Sequence, residues 1–184
     1  MEIVRPQLAP VATEAAEEGA GAAGDLDAVY RTHARYVAAV VGRILGRDHE
    51  VDDVVQEVFV DAMAGLGRLR EPEALRGWLA TIAVRRAARR LKRRRFWRFF
   101  GLDEGGVSES LIAPGAAADD RVLVRRVYAF LDEVPVEQRI AWTLRHLEGE
   151  PLDVVAARCG CSLATAKRRI AAVQDAMEKV FDRE

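Results

Sequence analysis

The chain has 184 residues, half of them apolar, with 28 lysines and arginines against 29 aspartates and glutamates, a formal net charge of −1. This excludes a collagen-like or wholly disordered chain, and the length suits one domain or two small ones. No apolar run approaches the ~20 residues of a membrane span, no signal-peptide pattern opens the sequence, and the two cysteines, Cys159 and Cys161, are too close together to staple a fold.

A cytoplasmic protein without disulfides is expected, and near-zero charge taken alone argues against a nucleic-acid partner. The charge is segregated, however. Residues 1–24 carry −3, residues 25–98 carry +6, residues 99–120 carry −5 and residues 121–184 carry +1. Such blocks mark modules and linkers. Arginine outnumbers lysine 25 to 3. Guanidinium forks suit phosphates and base edges, although a GC-rich genome explains the same bias.

Residues 1–24 are rich in Ala, Gly and Glu without an apolar period, and read as a disordered tail. Residues 26–45 form a helix with Leu26, Val29, Tyr30, His33, Val37, Val40, Val41 and Ile44 at helical spacing. A second helix is expected over about 51–64, with Asp52 and Asp53 in its first turn, where the helix dipole favours acids. Val54, Val55, Val58 and Ala62 make its core face. Asp52, Gln56, Phe59 and Met63 fall on another side at steps of four, three and four. That mixture suits docking onto a partner helix, and an extension of the core explains it too. Asp52, Asp53 and Glu57 lack the further ligand that a metal site would need; no metal or cofactor is expected.

Residues 65–77 read as a loop or broken helix. From Trp78 a helix puts Leu79, Ile82, Ala83 and Ala87 on one face and Arg85, Arg89 and Lys92 on another. Residues 85–98 hold nine bases and no acid, a density that binds phosphates and makes affinity fall with salt. Phe96, Trp97, Phe99 and Phe100 either stack on unpaired bases or pack the helix end onto a domain. Residues 101–120, rich in Gly, Pro, Ser and acids, read as a linker.

Beyond it, Val122, Val127, Phe130, Leu131 and Val134 share a helix that Pro135 ends. Ile140, Ala141, Leu144 and Leu147 face inward from a helix over 136–147. A short helix over 152–158 leads through Gly160 to Ser162, a good N-cap. The last helix turns Leu163, Ala166, Ile170 and Val173 inward, with Thr165 and Arg168 opposite and Lys167 and Arg169 flanking. Helix, glycine turn and capped basic helix make a helix-turn-helix. Cys159 and Cys161 form a CxC without a second pair, and a structural role is expected for both. The fold expected is all-α: two small helical domains, 25–98 and 121–184, joined by a flexible acidic linker over 99–120, the C-terminal one a helix-turn-helix.

These segments resemble a known family. DDVVQEVF after YRTHARYVAAVVGRILGRDHEV looks like region two of bacterial extracytoplasmic-function (ECF) sigma factors, and WLATIAVRRAARRLKRR is similar to the tail of that region. VPVEQRIAWTLRHLEGEPLDVVAARCGCSLATAKRRI resembles region four, with its patterns L-P-x-x-x-R, L-x-x-x-E-G and G-x-x-x-x-T-V-K-x-R. The resemblance implies a factor without chemistry of its own that binds core RNA polymerase, through its β′ and β subunits, and directs it to promoter DNA. It implies polymerase docking by Asp52, Asp53, Gln56, Glu57 and Phe59. It implies contacts to the −10 element, whose bases are flipped and held single-stranded, by Trp78, Arg85, Arg86, Arg89, Lys92 and Arg93. It implies contacts to the −35 element by Ser162, Thr165, Lys167, Arg168 and Arg169. An anti-sigma factor is implied as a partner, and the linker would thread the polymerase. Arg85 and Arg89 stand where the family pattern I-A-x-N-x-x-x-D has Asn and Asp, and Ala166 replaces the Val of T-V-K. The competing expectation is a stand-alone helix-turn-helix regulator that needs no polymerase docking.

Overall fold

A computed structural model describes residues 26–47, 49–67, 69, 71–102, 107–108 and 111–181. The tail expected over residues 1–24 lies outside the described residues. The described residues form seven α-helices and no strand: α1 (Leu26–Leu45), α2 (Val51–Leu66), α3 (Leu75–Phe99), α4 (Ala118–Glu133), α5 (Val136–His146), α6 (Leu152–Arg158) and α7 (Leu163–Phe181). A 3₁₀ turn, Pro72–Ala74, leads into α3. The expected helix starts hold, except that α3 begins three residues before Trp78 and α4 takes in the end of the expected linker.

Helices α1, α2 and α3 pack together, as do α5, α6 and α7, while α5 also packs on α1 and α3. The core is therefore continuous between the halves. Val37, Val40, Val41 and Ile44 of α1 and Val54, Val58 and Ala62 of α2 are fully buried in it, as are Leu79, Ala83 and Ala87 of α3. These are the stripes that helical spacing picks out. In the second half, Val124, Tyr128 and Leu131 of α4 meet Ile140, Trp142 and Leu144 of α5 and Val155, Ala166 and Val173 beyond. Two side chains expected in this core are exposed: Val122, near the start of α4, and Leu163, at the first position of α7 and 45% exposed.

Pro135 separates α4 from α5. The residue before a proline is pushed away from helical geometry, and Val134 is extended at φ −76°, ψ 144°. At the other sharp turn Gly160 has φ +60°, a conformation that favours glycine and joins α6 to α7.

The linker is not free along its whole length. Leu111 and Ile112 are buried in the core, and the Ser108 N–H donates to the Gly46 carbonyl at 2.9 Å. Two apolar side chains and a buried main chain thus anchor its second part to the end of α1. Residues 103–106, 109 and 110 lie outside the described residues.

Candidate nucleic-acid interface

The basic run on α3 divides into two faces. Arg86, Arg90 and Arg94, each one turn apart, face Glu50 and the acids of α2 that follow it. Arg86 donates from Nε to Asp61 at 2.6 Å and from Nη1 to Glu57 at 3.1 Å. Arg90 lies 3.7 Å from both Glu57 and Asp53 and 3.8 Å from Glu50. Arg94, buried, pairs with Glu50 and donates to the Leu45 carbonyl at 2.9 Å. The hydrogen bond from Arg86 holds the Asp61 carboxyl below its usual range. This face is neutralised inside the protein. Arg86, expected at the −10 element, is therefore engaged with α2.

The other face is open. Arg85, Arg89, Lys92 and Arg93 are exposed. Arg85 and Arg93 have no hydrogen bond or ion pair among the described residues, and Arg89 acts on Asp61 only at a distance. Lys92 Nζ reaches Glu137 of α5 at 2.7 Å. Trp78 is half-buried with its indole over Gly65, where a Cβ would stand 2.6 Å from the ring. It packs α3 onto α2 rather than standing free. His33 is pulled below its usual pKa by burial and by Arg76, which suits an uncharged packing residue.

The docking face expected on α2 is only partly presented. Asp52, Asp53 and Gln56 are exposed, Glu57 is half-buried among the arginines of α3, and Met63 is exposed. Phe59 departs from expectation. It is 4% exposed, with its ring 4.8 Å from that of Tyr30 in an edge-on contact. The α1 helix covers the position that periodicity put beside Gln56.

In the helix-turn-helix, Ser162 caps α7. The Thr165 N–H donates to Ser162 Oγ at 3.2 Å, and the two hydroxyls lie 2.9 Å apart. Lys167 and Arg168 are exposed, and Thr165 and Arg169 are half-buried. Ser162 and Thr165 thus shape the helix start, leaving Lys167 and Arg168 as its most open cations. Cys159 and Cys161 are free and half-buried. Burial pushes the Cys159 thiol up to about 11, which disfavours a reactive thiolate.

Sequence reasoning missed the residues between the halves. Tyr128, fully buried, donates its hydroxyl to the Arg43 carbonyl at 2.9 Å. Arg139, 2% exposed, donates to the carbonyls of Ile44 and Leu45. Asp132 pairs with Arg139 and lies 3.3 Å from Arg98 and 3.5 Å from Arg47. Arg43 pairs with Glu148 at 3.1 Å, both nearly enclosed. Arg139 and Glu148 are fixed positions of the region-four patterns, the only signal in the sequence that marks them.

Among the described residues no group of three or more His, Cys, Asp or Glu side chains could hold a metal ion. No helix there is long and apolar enough to cross a membrane.

Residues 29–96 match the family described as Sigma-70 region 2, and residues 125–173 match Sigma-70, region 4. The chain is 29% identical over 151 residues to the ECF RNA polymerase sigma-E factor of Escherichia coli, covering 77% of this chain and 78% of that protein. It is 29% identical over 146 residues to the ECF RNA polymerase sigma factor SigE of Mycolicibacterium smegmatis, covering 78% of this chain and 56% of that protein. The fold is shared with the sigma factor RpoE of Bartonella quintana, solved with the anti-sigma factor NepR, at a TM-score of 0.64, 18% identity and coverage of 86% and 97%. It is shared also with CnrH, solved with the cytosolic domain of CnrY, at a TM-score of 0.58, 19% identity and coverage of 86% and 88%. Both sigma regions occur here in order on matching helices, and the relatives are sigma factors rather than stand-alone regulators. The chain belongs to the extracytoplasmic-function sigma factor family.

Proposed function

We propose that this non-enzymatic factor divides its work among three surfaces as it brings core RNA polymerase to promoters. The exposed side of α2, with Asp52, Asp53 and Gln56, docks on the polymerase; Glu57 and Phe59 support that surface from behind. The open face of α3, with Arg85, Arg89, Lys92 and Arg93, holds the −10 region. Lys167 and Arg168 of α7 enter the major groove at the −35 element, with Ser162 and Thr165 setting the helix start and Arg169 flanking. Residues 25–98 and 121–184 are the two working modules.

The observation that carries this reading is the partition of charge. Arg86, Arg90 and Arg94 are spent on Glu50 and the acids of α2 that follow it, while the neighbouring face of the same helix is left open toward solvent. A helix needing only structural ion pairs would have no use for the second face. The protein acts in the cytoplasm with the polymerase, and an anti-sigma factor is its further partner, a reading supported by the complex of the similarly folded RpoE with the anti-sigma factor NepR.

The test is to mix the chain with core polymerase and a promoter library and to sequence the transcripts that depend on it. A defined set of promoters with shared −10 and −35 sequences is expected. Duplex binding by the isolated chain with no effect on polymerase would sink the reading.

A further inference from the structure

The end of α3 carries an apolar patch that the three surfaces above do not use. Phe96, Trp97, Phe99 and Phe100 are between 46% and 86% exposed, and Leu102 beside them is exposed too. None of the five belongs to the core or to the apolar side chains packed against it. The rings touch in a chain, Trp97 to Phe96 at 5.7 Å, Phe96 to Phe100 at 5.1 Å and Phe100 to Phe99 at 5.4 Å, with interplanar angles of 79°, 60° and 87°. In such a contact the edge of one ring lies on the face of the next. The cluster is thus a knob of ring edges, without open flat slots between rings. A contiguous exposed patch of this kind marks a binding surface.

We propose that this end of α3 attaches the protein to an anionic lipid surface, with the rings in the headgroup layer and the neighbouring cations on the lipid phosphates. At about 100° per residue, Arg85, Arg89, Arg93, Phe96, Phe99 and Phe100 fall within about 120° of the helix circumference. The buried Ala87, Leu91 and Arg94 lie on the opposite side. One plane can therefore touch cations and rings together, along about 22 Å of helix from Arg85 to Phe100. Arg85 and Arg93 have no internal ion pair among the described residues, and Arg95, exposed beside the rings, reaches only the Val134 carbonyl at 3.5 Å. The pull of an anionic leaflet on such groups falls off within a Debye length, about 8 Å at physiological salt. It acts only on cations held close, and the rings supply the hold. Trp and Phe settle at the boundary of headgroups and acyl chains, where buried apolar area and charge attraction add. A fluid lipid layer accepts ring edges at any angle, whereas stacked bases need open faces and a protein groove needs a matching shape. The attachment is to one leaflet and requires no spanning helix. The same arginines are assigned above to the −10 region, so lipid and promoter compete for them; that consequence alone rests on the promoter-directing reading.

The experiment sediments the full chain with vesicles of phosphatidylglycerol and phosphatidylcholine in equal parts, and with vesicles of phosphatidylcholine alone. Partition should be at least about tenfold greater on the anionic vesicles, and Arg85→Ala/Arg89→Ala/Arg93→Ala should remove that preference. Phe96→Ser/Phe99→Ser/Phe100→Ser should weaken anionic binding about tenfold, while the same three positions as Leu, which keep apolar area without a ring, should retain most of it. All three rings are exposed, so the variants keep the fold, which circular dichroism checks. Bromine-labelled acyl chains should quench Trp97, and Trp97→Phe should abolish the quenching while binding persists. Trp142 is 2% exposed and Trp78 packs against α2, so neither reaches the lipid. Equal partition onto both vesicle types, anionic binding that the serine variant leaves unchanged, or no binding would overturn the proposal. So would a chain that ignores vesicles and dimerises through these rings, which would identify a second copy as the occupant. Transcription by the unsubstituted chain with core polymerase is run alongside, with and without anionic vesicles. Vesicles should suppress it, and an unaffected rate would refute the competition. Its absence throughout would count against the promoter-directing reading, whereas the partition decides the lipid surface by itself.

Discussion

Arg139 donates from Nη2 to the main-chain carbonyl of Leu45 at 3.0 Å, and from Nε to that of Ile44 at 3.1 Å. The last carbonyls of a helix have no partner within it and carry the negative end of its dipole. At the end of α1 they are served by Arg94 from the first half and by Tyr128 and Arg139 from the second. Gly46 makes the approach possible. Its φ is +74°, and a Cβ there would stand 2.6 Å from the Tyr128 ring. The two halves are thus latched at one helix terminus.

If the two halves hold the −10 and −35 elements as proposed above, the latch has to open on DNA. Glu137 is held below its usual carboxylate range by Lys92, with Arg169 adding to the effect, so α3 and α7 approach one acid. Elements centred near −10 and −35 lie on the order of 85 Å apart at 3.4 Å per base pair. A compact chain of this length has a radius of gyration of only about 16 Å. Arg139→Ala, and separately Gly46→Ala, should enlarge the free protein in small-angle scattering and speed its association with core polymerase. An unchanged radius and rate in both variants would show that the latch carries no weight.

The helices were legible because apolar spacing reports burial; α6 falls on the residues expected. The latch was not, because Arg139, Tyr128 and Arg94 end on main-chain carbonyls, which no side-chain pattern identifies. The division of the basic run could have been read. Asp53, Glu57 and Asp61 repeat every four residues on α2, as Arg86, Arg90 and Arg94 do on α3, and two such ladders of opposite sign fit antiparallel. Phe59 was misplaced because the angle around one helix cannot tell how far a neighbouring helix wraps it. Here Tyr30 of α1 reaches round to cover the ring.

Acid stability should show two opposing carboxylates. Asp61 is held below its ordinary range by Arg86, so its contribution is present above the unfolded pKa and is lost as pH falls through the folded one. Glu148 is raised, because burial outweighs Arg43. Its contribution is full below the unfolded pKa and declines as pH rises through the folded value. Denaturant midpoints from about pH 3 to 7 should therefore rise less steeply in Asp61→Asn and more steeply in Glu148→Gln than in the parent chain, around the carboxylate pKa of ~4. Parallel curves for all three would sink this account.

Removing the Glu148 carboxylate altogether should be costly at neutral pH. Arg43 and Glu148 are both nearly enclosed, and truncation to alanine removes the oxygen that accepts from Arg43 Nη1, a hydrogen bond to a charged group typically worth about 1.5–3 kcal/mol. Glu148→Ala should lower the unfolding free energy accordingly. A loss under about 0.5 kcal/mol, the range of ordinary surface substitutions, would mean that water reaches the site.

Ser162→Ala should cost about 1 kcal/mol, the usual worth of an N-cap, because the Thr165 N–H loses its acceptor. The Thr165 hydroxyl loses its partner as well. The variant should lose duplex affinity through fraying of the helix start, and Ser162→Asp, which keeps a capping oxygen, should recover the lost stability but not all of the affinity, since it adds a negative charge beside phosphates. If Ser162→Ala keeps full stability, the cap contributes nothing.

Arg168 distinguishes reading from gripping. It is exposed on α7, whereas Arg169 is half-buried and senses Glu137. A guanidinium that reads a base edge should give, on Arg168→Ala, a loss of about 1–3 kcal/mol at one promoter position and relaxed preference there. A guanidinium on phosphate should weaken all promoters alike and lower the salt slope by about 1. Lys167→Ala, which removes a point charge without a planar fork, should show the second pattern. Run-off transcription over single-position promoter variants at two salt concentrations separates the cases. If neither substitution changes transcription from any promoter, this face of α7 is not the one that meets DNA.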